Sequence, residues 1–226
     1  MKNILDAPFV KGMMKTTANM YRLGWDERNG GNISMMLDPD EVAEYLDINA
    51  PIRSIAMGFD AKVLVGKIFI VTGTGKYFKN VEDDPENRVI MRSHPTNTLA
   101  MTYVHELDEK KLTHSLWEMC TECMVVFPDG IGVLPWMVCG TNEIGIATAE
   151  KMKEFRLVVW GQHGIYGCGK DLDEAFGLIE TVEKAAQLYM MTAHLPRVNT
   201  ITDPDLVEIV KAFKLEDVYR RDFLNL

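Results

Sequence analysis

The sequence predicts an α/β layered domain. Short β-rich runs recur along the chain, segments of helical spacing lie between them, and neither an internal repeat nor a low-complexity linker divides it. Strands interleaved with helices place ligand sites at strand ends.

Asp6-Ala7-Pro8 reads as a helix start, because proline fits the first helical turn; Phe9, Met13 and Met20 share a face, and Gly24 stops the helix. After Gly30-Gly31, the alternation of Ile33, Met35 and Leu37 predicts a strand. Residues 38–62 mix both periods and predict neither element. Lys67-Ile68-Phe69-Ile70-Val71-Thr72 is a β-rich run ending in glycines, and the acidic Glu82-Asp83-Asp84-Pro85-Glu86-Asn87 reads as a loop. Arg88-Val89-Ile90-Met91 predicts a strand, with helical spacing after Pro95. Cys123-Met124-Val125-Val126-Phe127 and Arg156-Leu157-Val158-Val159-Trp160 have the length of strands buried on both faces. Between them, Thr141 to Glu154 has helical spacing. A long helix begins near Asp171, where Asp171 and Glu174 resemble a capping box and Leu172, Phe176, Ile179, Val182 and Ala186 form a stripe. Thr202-Asp203-Pro204 opens a last short helix.

A length of 226 residues and a mass of 25.6 kDa suit a single domain spanning 1–226. With 47% apolar and 25% charged residues, the chain is neither disordered nor collagen-like. A net charge of −9 and a pI near 5.1 argue against nucleic acid or an anionic membrane as the main partner, so any bound anion needs a local site. No apolar stretch approaches a membrane span, and Met1-Lys2-Asn3-Ile4-Leu5-Asp6 lacks a signal peptide's apolar segment, so a cytoplasmic enzyme is expected. Of four cysteines only Cys120 and Cys123 lie close together, which makes no disulfide framework; one C-x-x-C without a second pair is weak evidence for structural zinc, and burial as free thiols is expected.

Two of the five histidines stand at strand ends: His94 before Pro95 and His163 before Gly164. Imidazole is the commonest zinc ligand, but a catalytic zinc takes three protein ligands, and two histidines are one short. His105, His114 and His194 fall in or beside helical segments without a partner. In Glu27-Arg28-Asn29-Gly30-Gly31-Asn32, glycines admit a ligand to the backbone while Asn29 and Asn32 offer amide donors for an oxyanion. In Val71-Thr72-Gly73-Thr74-Gly75-Lys76, a strand enters a turn suited to phosphate. It is not a Walker A loop, because Tyr77 stands where the magnesium hydroxyl belongs. Read singly, each segment is also compatible with a plain turn. Glu122 precedes a run of buried type, where an unpaired charge is costly, so a carboxylate held there needs a partner; a solvated helix-end or loop glutamate is the alternative.

Several longer words occur in one order. They are Gly24-Trp25-Asp26-Glu27-Arg28-Asn29-Gly30-Gly31-Asn32, Phe69-Ile70-Val71-Thr72-Gly73-Thr74-Gly75-Lys76-Tyr77-Phe78, Arg88-Val89-Ile90-Met91, Glu122-Cys123-Met124-Val125-Val126-Phe127-Pro128-Asp129-Gly130, Leu134-Pro135-Trp136-Met137-Val138 and His163-Gly164. Together they resemble the class II, zinc-dependent sugar-phosphate aldolases, most closely their rhamnulose-1-phosphate branch. The resemblance implies a mixed β-sheet between helical layers, assembly as a homotetramer, and retro-aldol cleavage of L-rhamnulose 1-phosphate to dihydroxyacetone phosphate and L-lactaldehyde. It implies a zinc ion held by three histidines, with His94 and His163 as two of them. Asn29, Gly31, Asn32, Thr74 and Gly75 would hold the phosphate, and Glu122 would be a second active-site carboxylate.

Two departures stand out. Where the family has His-x-His, this chain has Arg92-Ser93-His94, and residues two apart on a strand share a face, so Arg92 projects where His94 is aimed. A guanidinium stays protonated and cannot ligate. Between Phe78 and Arg88 the family carries some tens of residues more, including its proton-transferring glutamate, whereas only Lys79 to Asn87 remain here. These departures motivate a second expectation: a non-catalytic superfamily member that keeps the fold as a binding or assembly module, as adducin-type domains do. A third, an epimerase of a pentulose phosphate using the same bond cleavage, ranks lower because the words favour the rhamnulose branch.

Overall fold

The computed structural model describes residues 2–25, 31–50, 54, 60–72, 89–196 and 198–225. Among them, six strands form one sheet in the order β2-β1-β3-β6-β5-β4: β1 Asn32–Leu37, β2 Ile68–Val71, β3 Val89–Ser93, β4 Gly132–Leu134, β5 Leu157–Trp160 and β6 Gly164–Gly169. β4 and β5 run parallel and the other pairs antiparallel, so the sheet is mixed. The helices are α1 Pro8–Arg22, α2 Pro39–Ala43, α3 Thr96–Val104, α4 Glu109–Trp117, α5 Thr121–Val126, α6 Asn142–Lys151, α7 Leu172–Thr192 and α8 Asp203–Phe213.

Strand alternation sends neighbouring side chains to opposite faces and builds two cores. On one face Met91, Val159 and Ile165 meet Leu178, Ile179 and Val182 of α7. On the other, Ile90, Val158, Trp160 and Tyr166 pack with Ile144 of α6. α1 starts at the predicted proline and buries Phe9, Met13 and Met20. Asp171 caps α7 by accepting the Glu174 N–H at 2.8 Å, while the Glu174 carboxylate accepts from the Lys170 N–H at 2.8 Å. The capping box is complete at α8, where Thr202 and Asp205 satisfy one another's backbone N–H groups. None of the described helices is long and apolar enough to cross a membrane.

Two segments differ from the sequence prediction. The predicted strand Cys123–Phe127 is instead helix α5 with its cap. Its buried residues Cys123, Met124 and Phe127 fall on one helical face against α4, α7 and α8, while Val125 and Val126 are only partly buried. Tertiary packing overrides the β-branched run. The second is β6, a glycine-rich segment with no strand signal. A Cβ on Gly167 would lie 2.9 Å from Ile179 Cγ1, so the glycine lets α7 rest directly on the sheet.

Candidate functional site

Arg92, near the end of β3, points to the face that carries Trp160 and Tyr166. Cross-strand register sets Asn32 of β1 on one side of it and Tyr166 of β6 on the other. His94 follows the strand, its backbone N–H donating to the Trp25 carbonyl at 2.9 Å. His163 sits in the turn joining β5 to β6, its N–H 3.1 Å from the Trp160 carbonyl. The two imidazoles, far apart in sequence, converge with ring centroids 5.4 Å apart and planes inclined at 32°.

Arg92 closes the gap between them. Its Nη2 donates to His94 Nε2 at 2.5 Å and also to His163 Nε2. Because arginine only donates, both Nε2 atoms act as acceptors, which places each ring proton on Nδ1. Arg92 is 8% exposed, with Cζ 5.9 Å from the centroid of Trp160, and its buried Nε has no acceptor among the described residues.

The scaffold holds this cluster by contacts that the sequence reading did not single out. A Cβ on Gly164 would lie 2.4 Å from the Ser93 carbonyl oxygen and 2.8 Å from His94 Cδ2, so glycine is required for His163 to come alongside His94. Gln162, beside it, adopts a left-handed backbone at φ 52°. Thr102 of α3 stabilises that turn, its Oγ1 accepting the Gln162 N–H at 3.0 Å and its carbonyl accepting Gln162 Nε2 at 2.7 Å. α3 begins directly after His94-Pro95 and has no side-chain N-cap of its own. Glu183 of α7 replaces one: its carboxylate accepts from Asn97 N, Asn97 Nδ2, Thr98 N and Thr98 Oγ1 at 2.8 to 3.0 Å. Its only sequence signal is one acid on a long helix, indistinguishable from a solvated one.

Gly31, with φ +76°, and Asn32 open β1 next to Arg92. Asn29, Thr74 and Gly75 lie outside the described residues. The described flanks of both glycine segments meet at this corner: Trp25 holds His94, Asn32 pairs with Arg92, and Thr72 exchanges hydrogen bonds with Ile33 at 2.8 and 2.9 Å. Glu122 follows the solvated of its two expected readings. It is exposed in the first turn of α5, not ahead of a buried strand, and its neighbour is Cys120; no described contact joins it to Arg92, His94 or His163.

The described donors do not fit the zinc that the resemblance implies. Among the described residues no three His, Cys, Asp or Glu side chains gather as a metal set, and both Nε2 lone pairs of the histidine pair face a guanidinium N–H. A catalytic zinc needs roughly three protein ligands at about 2.0–2.2 Å.

Residues 11–190 match the family described as Class II Aldolase and Adducin N-terminal domain. The rhamnulose-1-phosphate aldolase of Listeria monocytogenes serotype 4b is 50% identical over 263 aligned positions, covering 95% of this chain and 96% of that protein. The enzyme of the same name from Enterococcus faecalis is 51% identical over 259 positions, covering 93% of each chain. Since 263 positions exceed this chain's whole length of 226 residues, some tens of the Listeria residues have no counterpart here. A sugar-phosphate aldolase structure from Thermotoga maritima superposes with a TM-score of 0.63 at 24% identity, covering 83% of this chain and 95% of that one, which shows the shared fold. The chain therefore belongs to the class II aldolase family, in its rhamnulose-1-phosphate aldolase branch.

Proposed function

We propose that this chain is an aldehyde-lyase that cleaves L-rhamnulose 1-phosphate to dihydroxyacetone phosphate and L-lactaldehyde. The observation that carries this is half-identity, along 95% of the chain, to a relative named for that reaction. In the cleavage the C4 hydroxyl gives up its proton and the C3–C4 bond breaks. C4 becomes the carbonyl carbon of lactaldehyde, and the electron pair stays on C3 as an enediolate, which then takes a proton.

Asn29, Gly31, Asn32, Thr74 and Gly75 form the phosphate cradle in this reading, supported by the meeting of their described flanks beside Arg92. Arg92 supplies positive charge where the enediolate develops. His94 and His163, neutral with Nε2 accepting, are the titratable groups in contact with it. Glu122 as an active-site carboxylate rests on the resemblance alone. Zinc, the cofactor implied by the resemblance, enters no step because the described donors do not fit it. We place the positions missing relative to Listeria between Phe78 and Arg88, treat 1–226 as one domain, and assign the chain to the cytoplasm and to rhamnose breakdown. Exposed Trp136 and Val138 ahead of α6 and exposed Ile146 on it support burial of apolar surface in a homotetramer.

The Arg92 contacts also favour a second reading, a family member that binds phosphorylated ligands or assembles without turnover. Incubating the purified protein with L-rhamnulose 1-phosphate, and reading dihydroxyacetone phosphate by coupled NADH oxidation, separates the two. Release above a protein-free control supports the lyase. No release, with calorimetric binding of the sugar phosphate, supports the binding module; neither signal overturns both.

A further inference from the structure

We propose that Arg92 occupies the metal position of this centre, so that the chain carries a guanidinium held by two imidazoles in place of a divalent cation and folds and binds its ligand without metal. One nitrogen, Nη2, reaches the Nε2 atoms of both His94 and His163, and so takes up the lone pairs that two metal ligands would offer. Moving the side chain out would not be neutral. It is buried to 8% exposure, held in register between Asn32 and Tyr166, and placed beside the ring of Trp160. A metal entering between the imidazoles would sit against a fixed positive charge that cannot be titrated away. The Arg92 side chain already reaches the Nε2 atoms of both histidines from this position, so histidine there would be directed at the same spot and complete a three-imidazole set.

The proposal rests on the aldolase reading for the identity of the histidine pair, but its test needs no substrate. Protein expressed with zinc supplementation and dialysed is analysed for metal by mass spectrometry. Wild type and Arg92→His are then titrated with Co²⁺, read by the visible ligand-field bands of a histidine-bound ion, and with Zn²⁺ by calorimetry. Wild type is expected to hold far less than one metal per chain. Because losing even an outer-shell partner weakens metal binding by about 10- to 100-fold, Arg92→His is expected to bind at least about a hundredfold more tightly than wild type, at one equivalent. One tightly held zinc per wild-type chain overturns the proposal, whatever the variant does. So does a folded Arg92→His that binds no better than wild type, folding being checked by circular dichroism. Chelator treatment of wild type adds a separate arm: unchanged cleavage supports the proposal and lost cleavage refutes it, whereas failure to cleave under every condition overturns the proposed function and leaves the metal titrations to decide this one.

Discussion

Arg92 shows how far a period-two argument reaches. Residues two apart in extended chain share a face, so the spacing predicts that Arg92 and His94 meet, and they do although His94 lies just past the end of β3. That His163 closes the same triangle does not follow, because it depends on β6 pairing with β3. A second cluster of reactive side chains lies at the start of α5, where Cys120 and Cys123 sulfurs are 3.3 Å apart. The hydrogen bond from Cys123 is the main cause that lowers Cys120 from 9.0 to about 7, and the same contact, with burial, pushes the Cys123 thiol up. Thiolate accumulates as pH rises through the lowered value. Iodoacetamide labelling of Cys120, read by peptide mass mapping, should therefore rise with a midpoint near pH 7, and Cys123→Ala should move it toward 9.0. An unmoved midpoint in the variant would mean that the hydrogen bond is not the cause.

At the scale of elements, the site depends on how α3 is docked. The helix follows His94 by two residues, and Glu183 of α7 satisfies its first N–H groups. Glu183→Ala removes a charged acceptor shared by four donors. Hydrogen bonds to charged groups contribute about 1.5–3 kcal/mol, and water recovers part of that at a half-buried position, so urea unfolding should show a loss of about 2 kcal/mol. A loss below about 0.5 kcal/mol, the size of an ordinary surface change, would show that water caps the helix equally well. α5 and β6 give the opposite lesson about legibility. One is a β-branched run that folds as a helix, and the other a glycine-rich stretch that forms a strand, because what each packs against outweighs local preference.

For the whole molecule, the apolar surface that one chain leaves in water is the main open account. Trp136, Val138 and Ile146 are all exposed on and near α6. Light scattering should find a mass about four times 25.6 kDa, and Trp136→Glu, which places a charge in the proposed interface, should lower it. A wild-type monomer at micromolar concentration would refute the assembly.

The amino-acid sequence by itself determined the layered α/β class, the helix starts at Pro8, Asp171 and Thr202, and the two strand-end histidines. These are local properties, set by capping chemistry and by the period of apolar residues. The words at Asn29–Asn32 and Thr72–Gly75 were equally readable, since a glycine next to a donor is a pattern in the chain. Only the tertiary structure decided that His94 and His163 share one guanidinium, that Gly164 must lack a Cβ for them to meet, that Glu183 caps α3, and that Glu122 stands in solvent. Each of these joins residues from different strands or helices, and such distances are set by sheet register and helix packing, which no local period encodes.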